Sequence, residues 1–264
     1  MLELARKLKL DKKLIKELEL LDEKEILLLS EKCLNKGFSL LKKKNDTKRL
    51  GVILSCAVKA KEQYEKAGIS DEIYFDTMSD IKIWCENNSN KGLKNYGWLK
   101  NHVKLELFRL GRLQFQLYEC KNRTLLYNKL PFSYGEKLIY VHIPQGEKLS
   151  YDEYRKSFEM AEIFFSKHFP DYNYKYYFCE SWLLYEGNKD FMQENSNILK
   201  FSSMFTHAYS IKIDEQAIER IFGKRRFFKK NYPENTSLQK SAKAYIQKGG
   251  KLGVGIGYID KSRF

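Results

Sequence analysis

Two short apolar runs, Leu138-Ile-Tyr-Val-His-Ile143 and Tyr176-Tyr-Phe-Cys-Glu-Ser-Trp-Leu-Leu184, flank a stretch over 149–169 in which Tyr154, Phe158, Ala161, Ile163, Phe164, Phe165 and Phe169 recur at helical spacing. The runs read as strands and the stretch between them as a helix with one apolar face. Strand, helix and strand separated by only a few residues make a βαβ unit, whose strands lie parallel and whose crossover is right-handed. That unit demands a sheet, and a third run, Leu107-Phe-Arg-Leu-Gly-Arg-Leu-Gln-Phe-Gln-Leu117, is expected as one more strand of it.

The first 104 residues carry a different period. Leu4, Leu8, Leu14, Ile15, Leu18 and Leu21 form one stripe, Asp22 opens a second helix that Gly37 stops, and a third over 49–67 buries Leu50, Ile53, Leu54, Ala57, Val58 and Tyr64. Its cap is expected at Asp46 or Thr47, and Ser70 caps a further helix that feeds Tyr74, Thr77, Ile81 and Trp84 inward. Trp98 and Leu99 lie on a last helical piece, and the three tryptophans are expected as packing. The phrase over 3–15 superficially matches a DNA-reading helix-turn-helix, but Lys9 holds the place of the turn glycine, so an ordinary helical hairpin is expected.

The fold class that follows is α/β (α+β): an all-helical domain over 1–104, then a mixed-sheet domain over 105–264 with the βαβ unit at its centre. Further strands are expected at Thr124-Leu-Leu-Tyr127 with 130–132, at Asn197-Ile-Leu-Lys-Phe201 and at Tyr209-Ser-Ile-Lys-Ile213. Helices follow over 214–222 and 237–248. The glycine-rich 249–257 follows a helix instead of preceding one, so it reads as a kinked closing strand and not as a phosphate loop.

Net charge of +14 raises nucleic acid as a partner, with Lys224, Arg225, Arg226, Lys229 and Lys230 interleaved with Phe227 and Phe228 as its surface. Most lysines alternate with acids, as on solvated helix faces, which argues against that partner and for a basic turn with both phenylalanines tucked inward. Five widely spaced cysteines give neither a disulfide framework nor a zinc site, and four histidines without ligand spacing give no metal site. No apolar run approaches the length of a membrane span, and the expected location is the cytoplasm.

Thr77-Met-Ser-Asp-Ile-Lys-Ile-Trp84, Tyr96-Gly-Trp-Leu99, Phe108-Arg-Leu-Gly-Arg-Leu-Gln-Phe115, His142-Ile-Pro144, Phe164-Phe165 and Ser181-Trp-Leu-Leu184 together resemble a group of bacterial acyltransferase-domain proteins. In that group an all-helical N-terminal domain precedes a GNAT-like C-terminal domain. The resemblance implies an N-acyltransferase that takes acetyl-CoA or another acyl-CoA in the cleft between two splayed parallel strands, with a small-molecule amine or peptide as acceptor. It also implies pyrophosphate binding on a glycine loop before the central helix. Here that joint is Ile143-Pro-Gln-Gly-Glu-Lys-Leu-Ser150, with one glycine, so Ile143, Gly146 and Lys148 are the cofactor-binding candidates.

Ser150-Tyr-Asp-Glu153 forms a capping box that competes for the same helix start. Either the loop takes over phosphate binding, or the domain keeps the GNAT skeleton without ordinary CoA binding, as a non-catalytic module for a small molecule or peptide. Amine acylation needs a base for the ammonium, donors for the thioester oxygen and an acid for the thiolate. His142, at the C-terminal end of its strand, is the first candidate base and Glu180 the second; the alternative for His142 is a hydrogen-bonded, half-buried histidine that orders the Pro144 turn. Arg112, Gln114, Ser181 and Trp182 are the candidate acceptor contacts; for Arg112 and Gln114 the alternative is a polar network joining sheet to helices. Cys179 is either a nucleophile or a buried structural thiol.

Overall fold

The computed structural model describes residues 1–121, 130–146 and 148–264. Seven helices come first: α1 (Leu2–Lys7), α2 (Lys12–Glu19), α3 (Glu23–Lys36), α4 (Asp46–Lys66), α5 (Asp71–Met78), α6 (Asp80–Asn87) and α7 (Tyr96–Val103). The leucine stripe over 4–21 is broken between α1 and α2 because Lys9 takes a left-handed φ of 55°, and Asp11 restarts the helix by accepting from the N–H groups of Lys13 and Leu14. Ser70 caps α5 through the Ile73 N–H, whereas α4 is capped by Asn45, one residue earlier than expected.

The expected single strand over 107–117 is a hairpin, β1 (Leu107–Leu110) and β2 (Leu113–Glu119). Leu110 pairs with Leu113 across a two-residue loop whose first residue, Gly111, has φ 66°, the conformation such a loop demands at that place. There follow β3 (Lys137–His142), α8 (Tyr151–His168), β4 (Tyr176–Ser181), α9 (Asn197–Ser202), β5 (Thr206–Ile211), α10 (Glu215–Phe222), α11 (Ser237–Gln247) and β6 (Val254–Asp260). The strand order is β1-β2-β3-β4-β6-β5, with β3 and β4 parallel and β4–β6 and β6–β5 antiparallel. The βαβ unit is present as read.

Asn197 to Phe201 form a helix, not a strand: Ser196 caps it through the Ile198 N–H, and Phe201 turns inward against Tyr154 with ring centroids 5.3 Å apart. A run this short carries too little periodicity to separate the two. The strand expected at 124–127 lies outside the described residues, and 130–132 are loop around a buried Phe132. Val58 and Ile163, read as inward, are 43% and 71% exposed.

The glycine-rich closing strand is β6. A Cβ on Gly255 would stand 2.0 Å from the Leu184 carbonyl oxygen, so the turn over 182–184 rests directly on the sheet where glycine leaves room. Phe227 and Phe228 are not tucked inward; they are 94% and 55% exposed.

By compactness the chain divides into one unit of 1–116, 143–146 and 160–170, and a second of 117–142, 147–159 and 171–264. The core of the first joins Tyr64, Tyr74 and Phe108 to the C-terminal half of α8: Phe108 lies 4.8 Å from Phe164 and 5.3 Å from Phe169 between ring centroids. It also encloses an acid. The buried Asp80 carboxylate accepts from the indole N–H groups of Trp98 at 2.8 Å and Trp84 at 3.1 Å. His102 Nε2 stands 3.1 Å from the same oxygen, off the axis of a straight hydrogen bond. Burial alone would raise the Asp80 carboxyl, but His102 and the two indoles outweigh it and hold the group below its usual range. The second unit packs the N-terminal half of α8 on the sheet, with Phe158 5.1 Å from Tyr177 and stacked at 4.7 Å on Phe264.

Candidate active site

Strands β3 and β4 pair only briefly. Their ladder is Ile139 with Tyr177 and Tyr140 with Phe178, yet β3 runs on to His142 and β4 to Ser181. Beyond Tyr140 and Phe178 the two strands no longer form a ladder, while β4 keeps its pairing to β6 as far as Ser181 with Gly255. The parallel pair in the middle of the mixed sheet therefore opens into a fork at the C-terminal ends of its strands, the end where open α/β sheets bind ligands.

Alternation decides which side chains belong to the fork. Tyr177 packs under α8, so Cys179 and Ser181 face the helix layer, and Phe178 and Glu180 face the other way. Tyr140 meets Phe178 with ring centroids 4.9 Å apart, which puts Tyr140 and His142 on that second face too. The Tyr140 ring lies 4.0 Å from the His142 ring, at 30°, and its hydroxyl reaches 3.5 Å from the Glu180 backbone carbonyl. Tyr118 of β2 completes the floor, 5.4 Å from Tyr140 and stacked at 6.0 Å on Phe178.

The electrostatics of this face follow from its dryness. Glu180 is half-buried, and burial raises its carboxyl above the usual carboxylate range. Burial, then the neighbouring Glu180 charge, pushes the Tyr140 phenol well up, and burial raises the Tyr118 phenol as well. The face thus offers one carboxylate with enhanced basicity among phenols that keep their protons. Sequence reasoning missed Tyr140; its place two residues before His142 on the same strand face is the signal that would have found it.

The other candidates are dispersed. The Ser181 hydroxyl accepts from the Leu183 N–H at 3.2 Å, which starts the turn that ends β4. Trp182 stands in that turn: its N–H donates to the Gln216 side chain at 2.6 Å and its ring joins the core of α10 and α11. Cys179 is fully buried, and burial, then Glu180, forces its thiol far up, so it is an inert core thiol and the nucleophile reading falls. Lys148 is exposed. At the start of α8, Ser150 gives both its N–H (3.4 Å) and its hydroxyl (2.7 Å) to the Glu153 carboxylate.

Arg112, Gln114, Ile143 and Gly146 belong to the first unit. Arg112 sits in the hairpin turn and donates to the Pro144 carbonyl at 2.8 Å, and Asn87 donates to the Gln145 side chain at 3.0 Å, so 143–146 is held from two sides. Gln114 is 1% exposed, and its side-chain nitrogen has no partner among the described residues. Among the described residues no group of metal-ligating side chains converges. A cavity of about 410 Å³ opens elsewhere in the second unit, backed by Leu184, Tyr185, Leu199 and Phe205 and rimmed by charges of both signs; it includes neither His142 nor Glu180.

Residues 1–105 match the family model of the N-acyltransferase N-terminal domain, and residues 107–259 that of the GNAT-like C-terminal domain. Among curated proteins no sequence matches significantly. A solved acyltransferase in complex with decanoyl-CoA and teicoplanin is similar over 98% of this chain and 86% of its own, with 20% identity and a TM-score of 0.81. An acyltransferase mutant in complex with octanoyl-CoA matches over the same shares at 19% identity and TM-score 0.81. An acyltransferase in complex with CoA and 10C-teicoplanin matches over 81% of this chain at 22% identity and TM-score 0.71; this chain covers 66% of that protein, just under two thirds. At such identities the likeness is one of fold.

Proposed function

The chain belongs to the GNAT-like family, with an N-acyltransferase N-terminal domain over 1–105 ahead of the GNAT-like domain over 107–259, and from that premise we propose that it moves an acyl group from acyl-CoA to an amine in the β3–β4 fork. The observation that carries this reading is the two-pair ladder of two strands that both continue. Backbone groups released there can pair with an extended donor arm as an added strand would. The donor lies along the fork with its thioester at the His142 and Glu180 face.

The acceptor arrives as an ammonium ion. Glu180 or His142 takes its proton, the amine nitrogen attacks the thioester carbon, the C–S bond breaks, and the thiolate leaves as CoA thiol with a proton from the site. Tyr140 holds the His142 ring and gives the face a neutral hydroxyl. Arg112 acts as a positioning residue, through the Pro144 carbonyl, for the loop that includes Ile143 and Gly146; Lys148 supplies charge for the pyrophosphate. The decanoyl- and octanoyl-CoA held by solved acyltransferases of this fold support donors longer than acetyl, and the teicoplanin held with decanoyl-CoA in one of them supports a small-molecule or peptide acceptor.

One observation favours a binding module without turnover: the Glu153 carboxylate occupies the start of α8, where a pyrophosphate would otherwise bind. Calorimetry with acetyl-, octanoyl- and decanoyl-CoA, together with release of CoA thiol in the presence of an amine panel, separates the two. Binding plus amine-dependent thiol release supports the transferase; no binding of any acyl-CoA overturns it and is the outcome that the module predicts.

A further inference from the structure

We propose that the loop over 223–230 docks this protein on the surface of anionic phospholipid bilayers. The chain leaves the core at Phe222, turns at Gly223 with φ 80°, and returns at Tyr232; those two rings stack at 4.3 Å and are each 5% exposed. Everything between them, 223–231, is exposed. Two of the loop's cations fix its shape: Arg225 forms a two-pronged pair with Asp214 at 2.5 and 3.2 Å, and Lys229 donates to the Ile246 carbonyl at the end of α11 at 2.9 Å. Lys224, Arg226 and Lys230 have no carboxylate partner among the described residues, and Lys230 stands 5.9 Å from the Phe228 ring.

Phe227 and Phe228 project from this anchored loop, 94% and 55% exposed and edge to face on one another with centroids 4.8 Å apart. Leaving two adjacent, largely exposed phenyl rings in water is unfavourable. An anionic membrane surface satisfies both halves of the pattern: the rings enter the boundary between headgroups and acyl chains, and the flanking cations stay level with the lipid phosphates. A nucleic-acid strand needs cations tracking its backbone along a groove, and a run of consecutive exposed residues is convex. The contact is peripheral, since no helix among the described residues is long and apolar enough to cross a membrane.

The test is flotation of the full chain with vesicles of phosphatidylcholine alone or mixed equally with phosphatidylglycerol, at low and moderate salt. Binding to the mixed vesicles, weakened by salt, is expected, and Phe227→Ser with Phe228→Ser should reduce it about tenfold or more with an unchanged thermal transition. Replacing Lys224, Arg226 and Lys230 by Gln should remove the preference for phosphatidylglycerol. Three results overturn the proposal: no flotation with mixed vesicles, serine variants that float like the parent, or a wild-type dimer that the serine variants convert to monomer without any vesicle binding. Retention of single-stranded RNA but not vesicles by the parent chain also overturns it.

Discussion

A carboxyl that burial has raised gives up its proton later than one in water, and an enzyme that needs it as a base shows this as an activity limb. If Glu180 takes the ammonium proton, kcat/KM for CoA-thiol release rises with pH through an apparent pKa above the usual glutamate range, in the direction burial imposes. Glu180→Gln should abolish that limb and lower kcat about 100-fold or more, whereas His142→Gln should leave the limb in place. The reverse assignment follows if only the histidine variant removes it. Asp80 carries the opposite sign. Its folded value is depressed, so the stability it contributes is fully present above the unfolded aspartate value, about 3.9, and is lost as pH falls through the lower folded value. Asp80→Asn leaves two buried indole N–H groups with a poorer acceptor and should cost on the order of 3 kcal/mol near neutral pH. Urea titrations of both proteins should converge as the pH drops below about 4.

At the scale of elements, the βαβ unit was legible because its two periods differ so sharply, and the glycine-rich strand because glycines that follow a helix cannot cradle a phosphate on the next one. The hairpin at 107–119 was not, since Leu110, Leu113 and Phe115 continue an apolar run across Gly111 and only its left-handed φ reveals the turn. Asn197 to Phe201 was misread for want of length. At the fork, the two-residue period of a strand separates Glu180 from Cys179 and Ser181, but no local pattern says that Trp182 leaves the strand for the α10 and α11 core, or that Arg112 donates to Pro144. Those are tertiary choices. The close seat of the 182–184 turn on β6 yields its own test: Gly255→Ala forces a Cβ against the Leu184 carbonyl, so it should destabilise by about 1–3 kcal/mol and shift the turn that follows Glu180. A lowered melting temperature by circular dichroism, with weaker acyl-CoA binding, checks it.

The boundary between the two family domains, near residue 105, and the boundary of compactness do not coincide in sequence. The unit that holds the seven N-terminal helices also contains β1, the start of β2 and the end of α8, and its aromatic centre depends on them: Phe108 is fully buried, Phe164 and Phe165 are 4% and 1% exposed, and all three pack in the cluster with Tyr64 and Tyr74. Cutting the chain after residue 104 removes these rings while leaving Tyr64 and Tyr74 behind. At about 1.5–3 kcal/mol for each large apolar side chain buried, the loss is comparable with the whole stability of an ordinary domain, about 5–15 kcal/mol. A fragment of residues 1–104 should therefore keep much of its helical far-ultraviolet signal, whose caps are local, and lose its near-ultraviolet aromatic signal and its cooperative thermal transition. A fragment that melts as sharply as the full chain would mean that the helices make a sufficient core by themselves, and that the phenylalanines of β1 and α8 only cover it.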